Sequence, residues 1–184
     1  SAPDPVGPRP SRGADPEAWD GQWVTQPDAG PVLISNINKR LANDGVIVES
    51  IGYSGTGQVA QVRIRNTRYD AEAQAVGRVA RAMSHIMPAS VEVFEIVPLA
   101  NGMPASKVAI RRSDLERYEF AANAPDALRA STTITAPGRP MDGMITDPTL
   151  YPKFTWSIGP YNRVRLFDQR DPLKMDVGLR FGAK

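Results

Sequence analysis

The chain has 184 residues, 41% of them apolar and 23% charged, with a formal charge of +2, which fits one ordinary folded domain plus some accessory chain. No run approaches the roughly 20 apolar residues of a spanning helix, and so small a net charge sets up no field for nucleic acid. With no cysteine and a single histidine, His85, thiolate metal sites, thiol nucleophiles and histidine clusters are excluded, and a Ser-His-Asp triad has little material.

Residues 1–27 carry Pro3, Pro5, Pro8, Pro10, Pro16 and Pro27 among Gly, Asp, Ser and Arg, with Val6, Trp19, Trp23 and Val24 as the sizeable apolar groups. Too little surface is available to offset the ordering entropy, so a Pro-rich disordered linker is expected here. At residue 28 the pattern changes: Asp28 stands as an N-cap before Pro31, and Leu33, Ile34, Ile37 and Leu41 recur at helical spacing up to Gly45. Val46 to Gly52 is a strand, Ser54-Gly55-Thr56-Gly57 a turn, and Val59 to Arg65 a second strand with Gln61, Arg63 and Arg65 on a wet face. Thr67 is placed to cap a helix whose stripe is Val76, Val79, Ala80, Met83, Ile86 and Met87, ended by Pro88. Val91 to Val97 and Lys107 to Arg112 read as strands, and Ser113-Asp114-Leu115-Glu116 as a capping box opening a short helix.

The order α-β-β-α-β-β-α, with one apolar face per element, predicts an α+β fold: a two-layer α/β sandwich over residues 28–122, helices on one side of a mostly antiparallel sheet. Residues 123–147, rich in Pro, Gly, Ala and Thr, read as a second linker.

In residues 148–184, Leu173, Met175, Val177, Leu179 and Phe181 alternate with Lys174, Asp176, Gly178 and Arg180, and before a turn at residues 168–172 Asn162, Val164 and Leu166 alternate with Tyr161, Arg163, Arg165 and Phe167. The pattern predicts a β-hairpin. Either it belongs to an ordinary half-buried sheet or it is the truncated start of an outer-membrane β-barrel, whose strands need about 9–11 residues. An isolated hairpin is marginal in water, so its pairing partners are expected outside this sequence.

Two stretches carry a family likeness. One runs from Arg65-Asn66-Thr67-Arg68-Tyr69 through residues 73–81 and Ser90-Val91-Glu92-Val93-Phe94 to Ile110-Arg111-Arg112-Ser113-Asp114-Leu115-Glu116; the other is Pro152-Lys153-Phe154-Thr155-Trp156-Ser157-Ile158-Gly159-Pro160 followed by Leu166-Phe167-Asp168 and Pro172-Leu173. Across residues 28–184 the sequence resembles the YjbH/GfcD family of outer-membrane exopolysaccharide-secretion proteins. The resemblance implies an outer-membrane protein with a periplasmic domain, working beside a polysaccharide-export lipoprotein on an exopolysaccharide. Family members are much longer, so two barrel strands make no pore by themselves.

No catalytic or cofactor motif stands out. Gly52-Tyr53-Ser54-Gly55-Thr56-Gly57 lacks the final glycine of a nucleophile elbow and joins two strands, while Glu92 and Glu95 cannot share a strand face as an acid/base pair. His85 reads as a packing or helix-terminal residue. A non-enzymatic component without a cofactor is therefore expected. Its contact residues for polymer or partner are Arg63, Arg65 and Arg68, in the densest basic cluster with Arg78 and Arg81, together with Trp156, Tyr161, Arg163 and Arg165 in the hairpin. The competing expectation is a soluble periplasmic adaptor that binds another protein and never enters a membrane.

Overall fold

The computed structural model describes residues 2–147, 149–150, 156–166 and 173–183, the last two stretches as backbone. It divides into two compact units, Ser1–Pro148 and Thr149–Lys184. The first contains helices α1 (Ala29–Arg40), α2 (Glu72–Ile86), α3 (Arg112–Tyr118) and α4 (Ala124–Ser131), and strands β1 (Val46–Tyr53), β2 (Val59–Asn66), β3 (Val93–Ala100), β4 (Met103–Pro104), β5 (Lys107–Arg111), β6 (Thr133–Thr135) and β7 (Ile145–Thr146). The second holds strands β8 (Trp156–Leu166) and β9 (Leu173–Ala183).

The fold is a mixed α+β arrangement around one open sheet, ordered β6-β5-β3-β2-β1-β7, with β4 hooked onto β3. Neighbours are antiparallel except β2 and β3, which run parallel because α2 is the crossover between them. Register aligns one residue from every strand of the main path in a single apolar row: Ile145, Ile51, Val62, Ile96, Val108 and Ile134. A second row is Tyr53, Ala60, Phe94 and Ile110. Onto these rows α1 brings Leu33, Ile34 and Ile37, and α2 brings Val76, Val79, Ala80 and Met83, all buried in one core cluster. Each large aliphatic side chain so buried contributes about 1.5–3 kcal/mol of transfer free energy.

The N-terminal residues depart from the expected disordered linker. Gly7 N–H donates to Ser84 Oγ at 2.8 Å, Arg9 bonds the Ala89 carbonyl and the Glu92 carboxylate at 2.7 Å, and Trp19 Nε1 donates to the Pro10 carbonyl. The Arg9 guanidinium also stacks 4.7 Å from the Trp19 ring centre, and Val24 is part of the core. Burial alone would raise Glu92, but the hydrogen bonds it accepts from Ser113 and Arg9 outweigh that and hold its carboxyl below the ordinary range. Two physical facts explain the difference from expectation. Proline restricts the unfolded chain and so lowers the entropy lost on ordering, and a Cβ on Gly7 would stand 2.8 Å from the Ser84 and His85 backbone, so this residue alone permits the approach.

Residues 123–147 also differ from the linker expected there. They form α4 and both outermost strands of the sheet, β6 and β7.

Local capping differs from the expectation in three places. Asp28 precedes α1 but makes no side-chain cap bond. The Thr67 hydroxyl donates to the Gly45 carbonyl at 2.7 Å, and α2 begins five residues later without a side-chain cap. The capping box does not close, because Ser113 Oγ bonds Glu92 at 2.5 Å and Glu116 takes Arg112 Nε at 3.0 Å.

Arg112 has the more important role. Its side chain is only 2% exposed and donates to the Ser84 and Pro88 carbonyls, each at 2.8 Å. It thereby closes the C-terminal end of α2, where carbonyls lack partners within the helix. Burial lowers its pKa from the guanidinium's ordinary value, and Glu116 partly offsets this.

Candidate functional site

The face of the sheet turned away from α1 and α2 is polar. A β-bulge between Val48 and Ser50 inserts Glu49 into β1, so that Glu49 and Ser50 both lie on this face. Glu49 accepts from Arg65 Nε at 2.8 Å. Two rows along β2 from Arg65, Gln61 Nε2 donates to Glu95 at 2.8 Å, and the same carboxylate receives Lys107 Nζ at 3.0 Å. Arg63 lies opposite Ser50 and beside Val97 in the register. Its Nε is shielded from water and has no hydrogen-bond partner, and it forms no ion pair with a described residue.

This face is covered, although the alternation of β2 predicts it wet. Gln61 is 3% exposed and Val97 1%. The cover is the connection from β6 to β7, residues 136–144, which must travel from one edge of the sheet to the other. Five inter-strand steps of about 4.8 Å make roughly 24 Å, and nine residues reach at most about 32 Å, so the path is nearly direct. It crosses the polar face, since a Cβ on Gly52, the register partner of Gln61, would meet Met144 and Met141 at 2.8 and 3.2 Å.

The basic cluster expected around β2 is divided in space. Arg63 and Arg65 are on the polar face. Arg68 lies in the turn after β2, bonded to the Asn43 carbonyl and 5.9 Å from the Tyr69 ring centre. Arg78 pairs with Asp44 at 2.7 Å and Arg81 with Glu119 at 3.3 Å, both from α2 on the opposite side of the sheet. His85 sits in the last turn of α2 with Nε2 2.9 Å from the Pro5 carbonyl oxygen. The Ser54 to Gly57 stretch is the β1–β2 turn, with Gly57 at a φ of 66° and Gly57 N–H bonded to the Ser54 carbonyl. Among the described residues, no group of three or more His, Asp or Glu is placed to hold a metal ion, and no helix is long and apolar enough to cross a membrane.

A cleft was not anticipated from the sequence. It occupies about 660 Å³ between α2, β5, β6, α3 and α4, with an aliphatic floor of Val76, Val108, Ile110, Leu115, Leu128 and Ile134. The Arg81–Glu119 pair stands in its wall. The available signal was the spacing of Ala124 and Leu128, one turn apart, which marks one face of a short helix.

The hairpin expected over residues 148–184 has β8 and β9 antiparallel through eleven register pairs, from Trp156 with Ala183 to Leu166 with Leu173. One set of alternate pairs is Trp156/Ala183, Ile158/Phe181, Pro160/Leu179, Asn162/Val177, Val164/Met175 and Leu166/Leu173. The other includes Gly159/Arg180, Tyr161/Gly178, Arg163/Asp176 and Arg165/Lys174. Register therefore places one apolar set, interrupted by Asn162, on one face and the charged residues on the other. Trp156 falls in the first set, and Tyr161, Arg163 and Arg165 in the second. The turn, and Pro152 to Thr155, Phe167, Asp168 and Pro172 of the family likeness, lie outside the described residues.

A family model, YjbH, described as an exopolysaccharide biosynthesis protein, matches residues 1–184. A search of curated proteins and a search of solved structures return no match.

Proposed function

Because the chain belongs to the YjbH family of exopolysaccharide biosynthesis proteins, we propose that it is a non-catalytic component of exopolysaccharide secretion across a bacterial outer membrane. On this reading Ser1–Pro148 is a periplasmic domain and β8 with β9 are strands of an outer-membrane β-barrel. The observation that carries the barrel reading is the hairpin register: two strands of 11 residues, apolar on one face and charged on the other, the length and alternation of a tilted membrane-spanning strand pair. In the first unit the residues read as polymer or partner contacts are Arg63 and Arg65 on the polar face, with Arg63 the member not paired to a described carboxylate, and Arg68 in the turn after β2. In the hairpin, read by itself, they are Trp156, Tyr161, Arg163 and Arg165; the expected counterparts are an exopolysaccharide and a polysaccharide-export lipoprotein.

The test is complementation. In a strain deleted for the parent gene, polymer is measured in the medium and in the periplasm after supplying the whole protein, a form lacking residues 1–148, or a form with Arg63→Glu. Retention of polymer in the deletion strain, rescued by the whole protein only, is the expected result. Normal secretion in the deletion strain refutes the export reading and leaves the adaptor that never enters a membrane.

A further inference from the structure

We propose that the open edge of β6 is a docking site for an extended segment of another protein in which apolar and acidic residues alternate, added to the sheet as a further strand. The inference stands apart from the export reading, since it concerns the edge of the first unit and not its cellular role.

The edge is unfinished in two respects. Among the described residues β6 ends the sheet, bonded only to β5, and an unpaired strand edge presents backbone donors and acceptors to any incoming strand. All three of its residues are exposed, and Ile134 is 66% exposed although it closes a row whose inner members Ile51, Val62 and Ile96 are fully buried. The apolar row stops one strand short of its natural limit.

The aliphatic cleft lies beneath the same edge. Its volume of about 660 Å³ falls within the roughly 300–1,000 Å³ of ligand-sized pockets. Its outer wall, α4, contains no buried residue, so the helix covers apolar surface without gaining full burial from it. A strand laid beside β6 would place every second residue next to Ile134 on the cleft side, and these side chains would supply the missing burial. With only three residues in β6, backbone pairing is short and the side chains must anchor the segment.

Charge selects the intervening residues. Arg111 and Arg139 are both exposed, and neither pairs with a carboxylate among the described residues. Arg111 continues the polar-face series Lys107 and Ala109, the register partners of Thr135 and Thr133; Arg139 follows β6 in the connection that crosses that face. Arg129, Asp126 and Glu72 line the cleft instead and do not bear on residues directed to the polar side. Residues of an added strand directed to the polar side would therefore be acidic. A second copy of this chain is disfavoured, because its own β6, Thr133-Ile134-Thr135, offers no acid to Arg111 and Arg139. A sugar polymer is disfavoured as well, since Tyr118 is the only aromatic ring in the cleft wall among the described residues.

The experiment uses the full chain and a fluorescein-labelled octapeptide alternating valine and glutamate, read by fluorescence anisotropy, with amide hydrogen exchange as the locator. The expected result is saturable binding, slowed exchange at Thr133–Thr135, and at least tenfold weaker binding to Ile134→Asp; Ile134 is exposed enough that this variant keeps its circular dichroism spectrum. Reversal at Arg111→Glu with Arg139→Glu is expected to transfer preference, by at least tenfold, to the octapeptide alternating valine and lysine. Absence of saturable binding, indifference to both variants, or protection confined to another segment would overturn the proposal. So would concentration-dependent protection of β6 without peptide, which would assign the edge to a second copy.

Discussion

Replacing Arg112 with Met isolates the contribution of one buried guanidinium to the junction between α2 and α3. The side chain makes three good hydrogen bonds, to Glu116, Ser84 and Pro88. At about 1.5–3 kcal/mol for each bond from an ionised donor, their gross contribution is roughly 5–9 kcal/mol. Against this stands a desolvation cost of several kcal/mol for a cation so fully enclosed. Methionine keeps most of the packing volume and removes the charge, leaving the Ser84 carbonyl without its donor, the Pro88 carbonyl with Val91 N–H alone, and Glu116 with only the more distant Arg9. The expected net loss is about 3–5 kcal/mol, which for a unit of this size lowers Tm by roughly 10–15 °C. Urea unfolding followed by circular dichroism measures it, and an unchanged m-value shows that the unfolded state is not the cause. Arg112→Lys keeps one bond and the charge and should fall between the two. A Met variant within 1 kcal/mol of the parent, on the scale of an ordinary surface change, would refute the argument that this residue closes α2.

Gly7→Ala should detach the N-terminal segment, because the new Cβ meets backbone at 2.8 Å; a cost of about 1–3 kcal/mol is expected, visible as faster proteolysis before residue 28 with little change in the core transition. Acidification should loosen the same segment: the folded carboxyl of Glu92 titrates below its unfolded value, so its contribution is present above the ordinary glutamate range and lost as pH falls through the folded value. Comparing urea midpoints at pH 5 and pH 3 for the parent and Glu92→Gln tests this, and an identical drop in both would contradict it. Asp44→Asn weakens the Arg78 pair and should cost about 1–3 kcal/mol, since both side chains are largely buried; a midpoint unchanged in thermal unfolding would show the pair to be idle.

The helices and longer strands were readable because their periodicity extends over five or more residues: α2 shows its stripe from Val76 to Met83, and β2 its alternation from Ala60 to Ile64. The expected mostly antiparallel sheet left out the parallel pairing of β2 with β3, although a helix between two strands is the connection that parallel neighbours need. Elements of two or three residues have no period, which is why β6 and β7 stayed hidden in a stretch of Pro, Gly and Thr. The N-terminal segment was hidden for another reason. Its attachment depends on single atoms, such as the missing Cβ of Gly7 and the guanidinium of Arg9, while the linker expectation weighed apolar content. Proximity in sequence also misled at the site: Arg65 and Arg78 are 13 residues apart and on opposite sides of the sheet, because β2 ends and α2 returns over the other face. Likewise Ser113 favoured Glu92 over its own helix, a choice only the fold makes available.

The order in which the chain leaves the first unit has a mechanical consequence. Residue 149 follows β7, a strand joined to β1 by two register pairs, Ser50 with Thr146 and Ile51 with Ile145, with one further bond from Asp147 N–H to the Glu49 carbonyl. Tension applied from the C-terminal side therefore reaches an edge strand first and peels it one bond at a time. The nine-residue connection behind it would lift away next, uncovering Gln61, Arg63 and Val97 while the helices keep their hold on the opposite face. Pulled from its tail, this unit would first draw Ile145 from its seat against Gly30 of α1 and then open its polar side, before the rest of its core gives way.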